Sequence, residues 1–317
     1  MGPSRKRFCA KESLQRKDAF LGTASVAACY LLVEYGEQWP SKVDALYDAA
    51  ELGEAAAREV KDFVDWCPYG VRRLLVKGKD RHRPTKMIAL VRADAPRPGG
   101  GIFELKGHGE ISGADLRNAY LHPRPLADTL LVCTHGKRDK CCARYGFPLF
   151  RQLYEELETN DSDVAVWQCS HVGGDRFAAN VIWLPYGLVF GRVHWDTDSF
   201  VEAFRQRRIS LSHFRGTSVF PSAAQYLEGW LRKKWGLDRP GGVEMLAYSL
   251  TKNSRGHIIA EVRLRALAMD NPMVAEATVR IRQDQTTGSK VLASCNVDGY
   301  TYRRVFEFLH GPMVSTQ

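Results

Sequence analysis

Two short segments, Cys133-Thr-His-Gly-Lys-Arg-Asp-Lys-Cys141-Cys142 and Cys169-Ser-His171-Val-Gly-Gly-Asp175, hold four of the eight cysteines and two of the nine histidines. Each leaves the carboxyl end of an apolar run, Asp128–Cys133 and Val164–Cys169, of the kind expected of a strand buried on both faces. Between them, Tyr145–Glu158 sets Phe147, Phe150, Leu153, Tyr154 and Leu157 at helical spacing, with Pro148 in the first turn. Two strands joined by a helix make a parallel pair. The carboxyl ends of parallel strands share one edge, so the two segments should meet where α/β ligand sites form.

The rest of the chain arranges itself around this centre. Residues 1–122 read as a mixed α/β region. Its elements are an apolar stretch over Ala19–Glu34, helical spacing over Val43–Asp65, and short strands at Arg73–Val76, Met87–Ala93 and Ile102–Leu105. Asp94–Gly101 reads as a loop by its Pro and Gly content. Residues 123–238 hold the two cysteine-bearing strands, then Val181–Leu184 and Leu188–Val193 around the hairpin signal Pro185-Tyr-Gly187. Helical patterns follow over Asp198–Arg207 and Ala223–Trp235. The order β-α-β-α-β-β is that of a thioredoxin-like domain. Pro240-Gly-Gly242 reads as a linker to a small β-rich α+β appendage, 239–317, in which Ile258–Leu267, Ala275–Ile281 and Val291–Val297 alternate as half-exposed strands do. The expected class is α/β, α+β overall.

Composition narrows the function. A net charge of +9 favours anionic partners, but the basic residues are dispersed and no nucleic-acid module accompanies them, so nucleic acid is not expected. Clustered cysteines argue against a disulfide scaffold and for a reducing, cytoplasmic setting. Arg5, Lys6 and Arg7 precede the apolar stretch from Ala19, yet the mixed charges between them suit a buried element better than a secretory leader. No apolar run reaches membrane-spanning length. Nucleotide loops of the Gly-x-x-x-x-Gly-Lys or Gly-x-Gly-x-x-Gly type are absent, as is Cys-x-x-Cys. Arg138 stands one residue too early for a phosphatase Cys-loop.

Soft thiolates gathered with imidazole suit a transition metal or an iron–sulfur cluster. Gly173 and Gly174 leave backbone amides able to approach a cluster. A helix starting near Gly173 would turn His171 and Asp175 to one face. Lys137, Arg138, Lys140 and Arg144 would offset an anionic centre or attract an acidic partner. Cys133 and Cys169 could equally be buried strand residues. Cys141 and Cys142 follow Lys-Arg-Asp-Lys, in what reads as a polar loop. Zinc also satisfies this donor set. Cys9, Cys29, Cys67 and Cys295 read as structural.

Residues 133–143, with Ser-His-Val-Gly-Gly-Asp-Arg-Phe-Ala-Ala-Asn (170–180) and Leu-Pro-Tyr-Gly-Leu-Val-Phe-Gly-Arg (184–192), resemble the sucrase/ferredoxin-like family. Gly22-Thr-Ala24 and Leu31-Leu-Val-Glu34 resemble that family's opening. The resemblance covers roughly 9–235 and implies a thioredoxin-like domain holding a [2Fe–2S] cluster on two Cys and two His. Carried over, Cys133, Cys142 and His171 match three ligands. Asp175 stands where the second histidine would, so Asp175, Cys141 or Cys169 completes the set. The implied function is an electron carrier with an unidentified, acidic redox partner, rather than a stand-alone enzyme. The alternatives are a zinc-stabilised or metal-free interaction protein, or a thiol sensor acting through Cys141 and Cys142.

Overall fold

The structure is a computed structural model. It describes residues 7–41, 43, 54–68, 70–78, 85–94, 98–106, 111–158, 163–254, 256–267, 272–286, 290–296 and 300–316. The architecture is α+β, with the chain dividing into two compact units. One comprises Ala27–Gly173 with Ala178–Gly187; the other comprises Met1–Val26, Gly174–Phe177 and Leu188–Gln317.

In the first unit the elements run β1 (Cys29–Glu34), α2 (Glu54–Trp66), β2 (Val71–Lys77), β3 (Thr85–Arg92), β4 (Gly99–Lys106) and α3 (Gly113–Leu121). They continue with β5 (Asp128–Cys133), α4 (Lys140–Leu153), β6 (Val164–Cys169) and β7 (Val181–Leu184). The strands hydrogen-bond in the order β4-β3-β1-β2-β6-β5-β7. Pairs β1–β2 and β5–β6 are parallel, and the remaining neighbours antiparallel. Every residue of β1 is buried, as a strand covered on both faces requires. Val60 and Phe63 of α2 and Leu116 and Tyr120 of α3 close a core with Leu31, Leu75, Ile88 and Leu90. Cys29 and Cys67 lie in that core. The hydrogen bond between the two thiols, together with burial, pushes Cys29 far above the ordinary thiol range.

Several boundaries depart from the sequence reading. Only Cys29–Glu34 of the apolar stretch from Ala19 is a strand. The early part of Val43–Asp65, residues 44–53, lies outside the described residues, as do 95–97 of the expected loop. Gly99–Gly101, expected in that loop, instead open β4. There the bare backbone is needed, since a Cβ on Gly100 would stand 1.8 Å from the Leu90 carbonyl oxygen.

The second unit contains α1 (Cys9–Gln15), β8 (Leu188–Phe190), α5 (Thr197–Arg205), β9 (Phe214–Thr217) and α6 (Ser222–Trp235). Its antiparallel sheet follows the order β10 (Val243–Lys252), β11 (Ile258–Ala266), β12 (Met273–Gln283), β15 (Arg304–Phe308). Two short strands, β13 (Lys290–Val291) and β14 (Thr301–Tyr302), pair with each other, and β16 (Met313–Thr316) pairs with β12. Ala223, Ala224, Leu227 and Leu231 of α6 pack on Ala260, Val262, Leu264, Ala275 and Val279 of this sheet. Among the described residues, no helix is long and apolar enough to cross a membrane.

Candidate metal centre

Strands β5 and β6 run parallel, with Cys133 opposite Cys169 at their carboxyl ends. The next residues are pinned to the sheet. Thr134 N–H donates to the Cys169 carbonyl at 3.2 Å, and Ser170 N–H to the Leu75 carbonyl at 2.8 Å. Ser170 Oγ accepts in turn from Leu75 N–H at 3.0 Å.

The stretch after Cys133 is not one long polar loop. Asp139, fully buried, accepts from Cys141 N–H at 2.7 Å and caps α4, which starts at Lys140. Cys141 and Cys142 therefore sit in the first helical turn, both buried, which corrects the reading of this stretch as a polar loop. Helix α4 lies close against β5 at Gly146, where a Cβ would stand 2.0 Å from the Cys133 carbonyl oxygen.

These placements gather three donors. Cys133 Sγ, Cys142 Sγ and a ring nitrogen of His171 lie within 4.8 Å of one another. Cys133 and Cys142 are buried and His171 half-buried. The Cys142 thiol beside it, then the His171 imidazole, hold the Cys133 thiol well below its ordinary range, against the opposing effect of burial. The lowered range favours the thiolate form of Cys133, the form a metal binds. Cys169 behaves oppositely: burial first, then the neighbouring Cys133 charge, pushes it well above the ordinary range.

Neither Cys169 nor Cys141 belongs to this trio, and neither does Asp175. The conditional helix near Gly173 does not form. Gly173 and Gly174 take φ of 87° and 80°, outside the right-handed helical region, and Asp175 opens a short 3-10 turn, Asp175–Phe177. His171 and Asp175 do not share a helix face.

Two residues escape the sequence reading. His135 is buried, its ring edge-on to Trp39 at 5.7 Å between centroids. Its Nε2 is 2.9 Å from the Pro40 carbonyl, which can only accept, so Nε2 carries the proton. Nδ1 is then the acceptor for His171 N–H at 3.2 Å. Burial lowers the acid range of His135 and keeps it neutral. From the other side, Arg72 Nη2 donates to the His171 carbonyl at 3.0 Å. The backbone of His171 is therefore held at both its N–H and its C=O, which fixes the point from which its side chain leaves the loop.

The donor chemistry fits a soft or borderline metal ion. Zinc takes Cys and His ligands, and zinc sites open to an outside ligand use three protein donors and leave a fourth position free. Clusters of the [2Fe–2S] type take four protein donors, one more than this trio supplies among the described residues.

Comparison with known proteins adds the family. A stretch of 72 residues is 38% identical to Altered inheritance of mitochondria protein 32 of Debaryomyces hansenii, covering 20% of this chain and 26% of that protein. The protein of the same name from Meyerozyma guilliermondii is 36% identical over 73 residues, again 20% of this chain and 26% of the relative. The match thus spans about a quarter of the curated relatives' length. No solved structure matches the chain. The names of these relatives describe no iron–sulfur electron carrier, and the electron-carrier function expected from the sequence is corrected on that finding. The sucrase/ferredoxin-like family model matches residues 20–216, well over half of the 317, and the chain belongs to the sucrase/ferredoxin-like family.

Proposed function

We propose that this chain is a metal-binding protein. Its centre takes one borderline divalent ion, zinc above all, on Cys133, Cys142 and His171, and leaves one coordination position to an exogenous ligand. The observation carrying this reading is the gathering of those three donor atoms within 4.8 Å of one another. Two sulfurs and one imidazole are the donors zinc prefers. The low acid range of Cys133 reduces competition from protons for the ion. His135 and Arg72 position the third ligand by holding the His171 backbone, the part such outer partners play at metal centres. A bound ion of this kind supplies Lewis acidity at its open position.

The test is metal analysis of zinc-loaded protein beside Cys133→Ser, Cys142→Ser and His171→Ala. Each substitution is expected to remove about one equivalent of zinc, and Asp175→Asn to remove none. Unchanged zinc in all three variants would overturn the assignment. Iron with equimolar acid-labile sulfide in the parent would replace the ion with a cluster.

A further inference from the structure

Two cysteines that read as structural in the sequence meet within the second unit. Cys295 Sγ lies 3.5 Å from Cys9 Sγ, although 286 positions separate them along the chain. The surrounding backbone builds this contact. Cys9 N–H donates to Cys295 Sγ at 3.3 Å, and the Arg7 carbonyl stands 3.8 Å from the same sulfur. Arg7 Nη1 donates to the Tyr300 hydroxyl at 2.9 Å, so residues 7–9 are seated on the carboxyl-terminal segment by non-covalent bonds. Exposure is unequal, since Cys9 is fully buried and Cys295 half-buried. Cys9 also opens α1, and the residue before it, Phe8, supplies no side-chain cap. Toward its other end α1 is held, because Arg192 Nη2 donates to the Ser13 carbonyl at 3.1 Å and to Ser13 Oγ at 3.0 Å.

From this we infer that Cys9 and Cys295 form a reversible thiol–disulfide site. When oxidised by a low-molecular-weight disulfide, it clasps the start of α1 to the segment that follows β13. The inference does not depend on the metal-binding reading. Cys295 is the point of entry, because it is the one of the two that solvent reaches. Its thiolate attacks one sulfur of the reagent; a mixed disulfide forms, the reagent's own S–S bond breaks, and one small thiolate leaves. Cys9 then attacks the Cys295 sulfur, forming the internal bridge and displacing the second small thiolate. The protons given up by the two cysteines end on the two departing thiolates, and the electrons of the pair reduce the reagent. Sulfurs already in contact make the second step intramolecular, with a high effective concentration. Bridges near the surface are the readily reduced class, the one that regulatory disulfides belong to.

The experiment uses the zinc-loaded full chain, equilibrated in glutathione buffers of rising disulfide content, quenched in acid, alkylated and mapped by peptide mass. A linked peptide pair containing Cys9 and Cys295 is expected, lighter by two hydrogens than the separate peptides and lost again when reduced glutathione is restored. Amides of α1 should exchange at least about tenfold more slowly once the bridge has formed. Cys295→Ser should abolish both the linked pair and the slowed exchange. Cys9→Ala should stop at a glutathione adduct on Cys295, and if that variant fails to fold, Cys295→Ser still carries the comparison.

The site is overturned if both cysteines remain alkylatable in the most oxidising buffer, or if Cys9 is found linked to any other cysteine. An oxidised parent that halts at the glutathione adduct overturns it too, since Cys9 then does not resolve the mixed disulfide. A bridge that survives restored glutathione in the folded protein removes the reversibility. Slowed exchange that persists in oxidised Cys295→Ser removes the clasp.

Discussion

Single atoms decide whether the centre forms. Gly146 is the clearest case, because its Cα faces the Cys133 carbonyl at a distance no side chain tolerates. Gly146→Ala should push α4 off β5, costing about 2–3 kcal/mol as overpacking does. Because Cys133 and Cys142 sit on those two elements, the same variant should lose zinc. Denaturant melts together with metal analysis check both halves, and a destabilised variant with full zinc would mean the donors follow the helix as it moves. The three gathered donors were legible as residues, since thiols and an imidazole after two strands announce themselves by type. Their positioning partners were not. Pro40 lies 95 residues from His135, and Arg72 lies 99 from His171; no local pattern encodes contacts at that separation.

At the scale of elements, the strands carrying the site were readable because they are buried apolar runs. The expected bounds of β5, β6 and β7 coincide with those found. Boundaries set by polar capping were harder. Helix α4 begins five residues before the apolar spacing suggested, since Asp139 caps it from within a charged run. Helix α3 is missed by apolar spacing although Ser112 accepts from Asp115 N–H at its start, a capping pattern visible in the sequence. Strand β10 is largely exposed or half-exposed along its length, so it lacks the alternation that marks a half-buried strand. The capping of α4 is itself testable. Asp139→Ala should cost about 1–2 kcal/mol through the lost cap and loosen the turn that carries Cys142. Zinc affinity should fall with it, while Asp139→Asn, which keeps an acceptor, should recover most of the loss. A competition titration against a chromophoric chelator measures that affinity.

Across the whole molecule, the segment around Pro240-Gly-Gly242, which reads locally as a linker, is held by side-chain bonds from α6. Arg232, buried near the end of α6, pairs with the buried Glu228 at 2.9 Å. It also donates to the carbonyls of Leu237, Arg239 and Gly241 at 2.8, 3.2 and 2.9 Å. Glu228 in turn accepts from Thr217 N–H at 3.0 Å, so one ion pair ties β9, α6 and the segment leading into β10. A buried charge stripped of its partner is costly, about 3–5 kcal/mol, and here three carbonyls lose their donor as well. Arg232→Met should therefore destabilise this unit by that amount and speed hydrogen exchange over 237–242. Arg232→Lys should fall between, because an ammonium keeps the charge without the planar fork. Arg232→Met/Glu228→Gln should cost less than the sum of its parts, since neither charge is then left alone. Urea melts of the parent, Arg232→Met, Glu228→Gln, Arg232→Lys and the double variant, with peptide-resolved exchange, decide it. If the double variant is strictly additive, the pair does not act as one unit and the segment is held by its own backbone.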